Sequence, residues 1–405
     1  MALEWYRRAA LHNESSAMFN VGYCYEDGIG VEKNPQEAVK WYRAAAELGN
    51  AFAQNSLGYC FEEGIAVEKD KVAAAGWYTM SAEQGYPCAQ CNIGYCYQNG
   101  IGVEKDPVIG AMWYAKAALQ GHARAQHNLG FCYQDGIGVP QDTHQAVYWY
   151  AASAAQDNIF AFHSLGYCFQ NGIGVPVNHE LAVSWYRKAA DAGHAPAQLS
   201  LGYCYRNGTG VPASDELAAT YFRLAAEQHN PLAQNTLGFC YEQGVGLEKN
   251  LQLAAHWYLE SAKLGNPWAQ CNVGYCYAHG LGLPRSPRTA AEWYAKAALQ
   301  NHARAQYKLG VCYEFAQGVE KNAVLAVQWY RRAAERHGHV DAMFRLARCL
   351  EEGVGCEADL EEAVRFYQAA GSAGSVDAQK RMTRILSARC LESHSFHFGC
   401  CAPCA

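Results

Sequence analysis

The chain has 405 residues, half of them hydrophobic, with 32 basic and 38 acidic side chains and a formal net charge of −6. That length exceeds one ordinary compact core, and the acidic balance does not supply the basic face that nucleic-acid binding requires. No run of 18 or more apolar residues occurs, so a membrane-spanning helix is not expected.

The N-terminal MALEWYRRAALHNE is charged within four residues, has no apolar core of a signal peptide, and begins inside a repeat. Eighteen cysteines without a secretion signal read as reduced thiols, and a cytoplasmic location is the expectation.

Two ladders then run along the chain. Cys24, Cys60, Cys96, Cys132, Cys168, Cys204, Cys240, Cys276 and Cys312 are each 36 residues apart, and Cys349 follows after 37. A Trp-Tyr pair recurs from Trp5-Tyr6 and Trp41-Tyr42 to Trp329-Tyr330, with Tyr221-Phe222 and Phe366-Tyr367 filling the same place. Within one unit, Ala53, Leu57 and Phe61 share one face of a predicted helix A, where Gly58 lets a neighbour approach closely. Ala74, Trp77, Tyr78 and Ser81 share one face of a predicted helix B.

Helix B is announced each time by a residue that caps free amides: Asn34, Asp70, Asp106, Asp142, Asn178, Ser214, Asn250, Ser286, Asn322 and Asp359. Gly28 and Gly64 are predicted to end helix A in the left-handed conformation. Gly49, Gly85, Gly121, Gly193, Gly265 and Gly374 end helix B, with Asn13, Asp157 and Asn301 in the same position elsewhere.

LG, C-Y, GxGV, WY and AA recur together at fixed offsets over about residues 1–390. This pattern resembles the Sel1-like repeat, a relative of the tetratricopeptide repeat. The resemblance implies an all-α fold, an α/α superhelical solenoid of about ten 36-residue helix-turn-helix repeats, and a role in assembling protein complexes. The repeat occurs in endoplasmic-reticulum quality-control adaptors, chitin-synthase activators and bacterial secreted cysteine-rich proteins. The bacterial branch bridges two cysteines per repeat, but those positions here hold Ala45 and Gln54. The expected organisation is a repeat array over 1–391 and a Cys/His-rich tail over 392–405. WYAKAALQGHARAQ at 113–126 returns as WYAKAALQNHARAQ at 293–306, which points to duplication of a five-repeat block, 180 residues long.

The ladder cysteines read as small buried residues, with helix B expected to separate successive A helices too far for disulfides. Cys88 and Cys91 form a CxxC that could be redox-active at a helix N-terminus, though it lacks a βαβ context. The GxGV loops read as turn chemistry, since neither the strand nor the lysine of a phosphate loop accompanies them. The tail holds His394, His397, Cys400, Cys401 and Cys404. Zinc ligation, S-acylation and an idle extension remain open for it. Elsewhere no cofactor and no catalytic constellation is expected.

In tetratricopeptide-like hairpins the A helices line the concave surface. Two residues after the repeat leucine stands an aromatic column: Tyr23, Tyr59, Tyr95, Phe131, Tyr167, Tyr203, Phe239 and Tyr275, giving way to Val311 and Ala347. Five residues before the leucine the type varies and includes Phe52, Phe160 and Trp268. Inter-repeat packing and partner binding both suit such aromatics. Glu26, Glu62, Gln98, Gln134 and Gln170 are expected to line the same face and to favour a ligand with apolar anchors and some basic residues, not a bare C-terminal carboxylate. The reading is a non-enzymatic scaffold or adaptor for protein partners. Its rival is a regulatory subunit anchored to a membrane or metal through the tail.

Overall fold

The computed structural model describes the backbone of residues 2–395 and the side chains of 2–385 and 387. Among the described residues there are 22 helices and no strand, alternating between A and B along the chain. The first complete hairpin pairs helix A, Ser15–Asp27, with helix B, Pro35–Glu47. The last helix, Val376–Ser395, extends beyond residue 391. The chain divides into two compact units, one of residues 1–197 and 209–212, the other of residues 198–208 and 213–405. Each is a stack of such hairpins.

The local signals act as expected. All ten capping residues accept from first-turn amides of helix B. Asp70, for example, accepts from the Val72 and Ala73 amides at 2.9 and 3.0 Å. Gly64 ends helix A at φ 73° and donates to the carbonyl of the ladder residue Cys60. Asn13, Asp157 and Asn301 take positive φ at the end of helix B, and so does His229, at 59°.

The GxGV turn also joins repeats. Gly138 sits at φ 71°, and a Cβ there would lie 2.0 Å from the Pro107 carbonyl oxygen of the preceding helix B. Backbone meets backbone at that point, which only glycine allows without a local shift.

The core is built on the tyrosine of the Trp-Tyr pair. Tyr42, Tyr78, Tyr114, Tyr150, Tyr186, Tyr258, Tyr330 and Tyr367 are each less than 2 % exposed. Each ring lies on a small residue of helix A, as Tyr78 does on Gly58, where an added Cβ would stand 2.8 Å from the ring. The buried hydroxyl needs an acceptor. Tyr78 donates to Glu62 at 2.7 Å, Tyr114 to Gln98 at 2.9 Å, Tyr150 to Gln134 at 3.1 Å and Tyr186 to Gln170 at 2.7 Å. Tyr42 donates to Glu26. These acceptors, all half-buried, therefore have a partner inside the fold. At position 222 the tyrosine is Phe, and the acceptor position is Arg206, whose guanidinium lies over the Phe239 ring at 5.3 Å.

A second polar ladder ties helix A to the preceding helix B by hydrogen bonds. Gln54 is buried and donates to the Ala46 carbonyl at 3.1 Å, tying helix A to the end of the preceding helix B. Its own oxygen accepts from Gln84 at 2.7 Å. Gln90 with Gln120, Gln126 with Gln156, and Gln270 with Gln300 repeat the pairing. Met18 with Leu48 and Phe162 with Ala192 replace both members by apolar residues. Two repeats break the rule: Gln234 faces Leu264 and Gln306 faces Arg336. Their side-chain oxygens are the buried glutamine acceptors left without a partner among the described residues. Leu264 is 51 % exposed, so little apolar burial would be lost by changing it. Leu264→Gln is expected to satisfy Gln234 and raise stability by about 1 kcal/mol, read as a higher urea midpoint at unchanged m-value. An unchanged or lower midpoint would contradict this account of the ladder.

Candidate protein-binding face

Along one face, successive A helices touch each other directly. Asn92 donates to Asn55 at 3.0 Å, the His127 Nε2 and Ser164 Oγ are 3.0 Å apart, and Asn272 donates to Asn235 at 3.0 Å. The expectation that helix B separates them is corrected: the hairpins stack with A beside A. The ladder cysteines are nevertheless buried and free, as are all fourteen described cysteines in being unbridged. Burial pushes the Cys60 thiol up to about 11 and the Cys96 thiol up to about 12, so both are protonated at neutral pH. Burial also pushes Cys91 up to about 11, against the depressed pKa that a reactive CxxC thiol needs.

The aromatic column stands on this face and faces solvent. Tyr23, Tyr59, Tyr95, Phe131, Tyr167 and Tyr203 are 37–47 % exposed. Phe239 and Tyr275 are half-buried, with the Arg304 guanidinium 5.5 Å above the Tyr275 ring. Ala347 is not in the column. It is fully buried and takes the glycine position of helix A, while Arg348 stands in the column. The 37-residue step at the last repeat shifts that register by one.

Phe52, Phe160 and Trp268 are 51–61 % exposed. Each leans on the residue just before the next A helix: Phe52 on Tyr86 with ring centroids 4.7 Å apart, Phe160 on His194 at 5.3 Å and Trp268 on His302 at 4.4 Å. The His302 Nδ1 accepts from the Ala305 amide, so its proton sits on Nε2. Burial and then the Arg304 charge lower the His302 pKa to about 4. A second histidine group, His127, His163 and His194, lies around Phe160 and was not singled out in the sequence; the histidines at the repeat positions of Asn55 and Tyr86 were its only signal.

His397, Cys400, Cys401 and Cys404 lie outside the described residues, as does the side chain of His394. Among the described residues no group of three or more His, Cys, Asp or Glu side chains could hold a metal ion. Among them, too, no helix is long and apolar enough to cross a membrane.

A family model described as the Sel1 repeat matches the chain in eleven segments, from 1–14 and 15–50 to 303–337 and 340–375. Among solved structures, the chain is similar to c5321, a protective antigen of uropathogenic Escherichia coli displaying an SLR fold. The two share 35 % identity over 95 % of this chain and 82 % of that one, with a TM-score of 0.70. A Sel1 repeat protein from Oxalobacter formigenes shares 29 % identity over 76 % of this chain and 89 % of that one, with a TM-score of 0.57. None of the curated proteins compared with the chain matches it. Repeats of this type generally mediate protein–protein interaction and are typically not enzymes. By its repeat pattern, its hairpin stack and the eleven matched segments, the chain belongs to the Sel1 repeat family.

Proposed function

We propose that this chain is a non-enzymatic adaptor that binds partner proteins or extended peptides along the A-helix face of each unit. Phe52, Tyr59, Tyr95, Phe131, Phe160 and Tyr167 serve one unit, and Tyr203, Phe239, Trp268 and Tyr275 the other. One observation carries the reading. From Tyr42 to Tyr330 the tyrosines of the Trp-Tyr pairs are at most 3 % exposed, whereas Phe52, Phe160, Trp268 and most of the helix A aromatic column are 37–61 % exposed. Large aromatics kept out of the core are the side chains that anchor protein interfaces. The same reading takes 1–391 as an array born of a five-repeat duplication, with 392–405 as an appended tail whose first residues continue the last helix. Contacts that recur 180 residues apart support the duplication: Lys116 lies 4.0 Å from the Trp113 ring centroid, and Lys296 lies 4.0 Å from that of Trp293.

Trp268→Ala and Phe160→Ala test the face. Each is expected to weaken partner capture by the intact protein by about 2 kcal/mol, roughly thirtyfold. Melting temperature should fall little, because both rings are more than half exposed, Phe160 touching His127 and His194 and Trp268 touching His302. Lower melting temperatures with unchanged capture would make them packing residues and end the binding-face reading.

A further inference from the structure

In two successive repeats one carboxylate serves two donors. Glu314 accepts from the Tyr330 hydroxyl at 2.5 Å and from the Arg345 guanidinium at 3.2 Å. Glu351 accepts from the Tyr367 hydroxyl at 2.7 Å and from Arg381 at 2.8 Å. The repeat before them keeps both donors, Tyr294 and Lys308, but its carboxylate position is Ala278. Gln98, 180 residues earlier, fills the corresponding position and accepts from Tyr114. Ala278 borders a cavity of about 520 Å³, lined also by Tyr294, Lys308, Val311, His279, Arg285 and Gln317. Tyr294 is 3 % exposed, and its hydroxyl makes no hydrogen bond among the described residues. No acidic side chain lines the cavity.

We propose that this cavity is a carboxylate-binding site, with the Tyr294 hydroxyl and the Lys308 ammonium as its donors. The two neighbouring repeats show the occupied form, in which one carboxylate bridges a buried tyrosine and a cation. The Tyr294 hydroxyl borders the open cavity, where an exogenous carboxylate can accept from it as Glu314 accepts from Tyr330 one repeat on. Charge assistance from Lys308 selects the anion over an amide. Arg285 donates from its Nε to the Ala278 carbonyl at 3.2 Å, and Lys308 with the Tyr294 hydroxyl is the pair that corresponds to the cation and hydroxyl on Glu314 and Glu351. The ligand is an aspartate or glutamate side chain of a partner, or a small organic acid. None of the aromatics of the proposed binding face lines the cavity, so failure of either idea leaves the other standing.

The test titrates the intact protein with glutarate, and separately with a blocked pentapeptide carrying one central glutamate between leucines, using its glutamine counterpart as control. Binding of a carboxylate probe is expected, with loss on Ala278→Gln and about tenfold weakening by Tyr294→Phe and by Lys308→Asn. These variants keep the fold, because Phe222 and Asn272 occupy the equivalent positions natively. Ala278→Gln should also raise the melting temperature. Binding of the peptide alone identifies a protein side chain as the ligand, and comparable binding of glutarate identifies a small acid. If neither probe binds, if the glutamine peptide binds as well as the glutamate peptide, or if Ala278→Gln leaves binding unchanged, the site is not what we propose.

Discussion

Gly130→Val is expected to destabilise the protein by about 3 kcal/mol or more, lowering the melting temperature by roughly 6–12 °C. A Cβ at Gly130 would stand 2.7 Å from the Tyr150 ring and 3.1 Å from the Ala146 carbonyl oxygen. Tyr150 cannot swing aside, because it is 1 % exposed and its hydroxyl is held by Gln134. A single methyl is tolerated in the last repeat, where Ala347 takes this position. Valine adds two further carbons against the same ring, and a close-packed interior has no void to receive them. Gly76→Ala is the control, since nothing lies within 4 Å of the added Cβ on that exposed helical glycine. It should be neutral or stabilising by up to about 1 kcal/mol. An unchanged melting temperature for Gly130→Val would mean that the tyrosine on glycine contact does not set the inter-helix distance.

Acid should loosen the array between about pH 6.5 and pH 4, before most carboxylates are protonated. His163 is lowered to about 4 by burial and then by the neighbouring His194 and His127. His302 is lowered to about 4 as well, and His127 and His194 are lowered by burial. The unfolded chain, near 6.5, takes up these protons first. Stability is therefore full above about pH 6.5 and is lost as pH falls towards the folded values. His163 and His302 each contribute on the order of 3 kcal/mol to that loss at most. For His302 the mechanism is visible: protonating Nδ1 removes the acceptor that caps the helix Ala303–Glu314. Below about pH 4.5, protonation of Glu362 adds to the loss, because Arg331 holds its carboxyl below the usual range. The measurement is the urea midpoint across pH 7.5 to 4. His302→Asn, which keeps a capping side chain without the titration, should flatten the profile in that window. A flat profile for the parent protein would refute the assignment.

Much of the hairpin was legible because its signals are local. A capping side chain reaches amides two or three residues away, and a left-handed residue closes the turn beside it, so Asp70 and Gly64 declare themselves in a single unit. The repeat length follows from the spacing of those marks. The exposure of Tyr59 and the burial of Tyr78 could not be separated by residue type, since both are tyrosines at repeating positions. Register failed at Ala347 because one inserted residue near His337 moves the count without changing the pattern.

What the sequence determined by itself, then, was an all-helical chain of 36-residue hairpins, with its caps, its turns and the positions that repeat. Only the tertiary structure decided which repeating positions meet. Glu62 proved to be the acceptor of Tyr78, Gln54 the tie to Ala46, and Ala278 the gap between Tyr294 and Lys308. The physical reason is that helical periodicity specifies the side of a helix a residue occupies, whereas hydrogen bonding depends on the direction and reach of two side chains brought together from different helices. Those partners lie 8 to 37 residues apart and find each other only when hairpins stack.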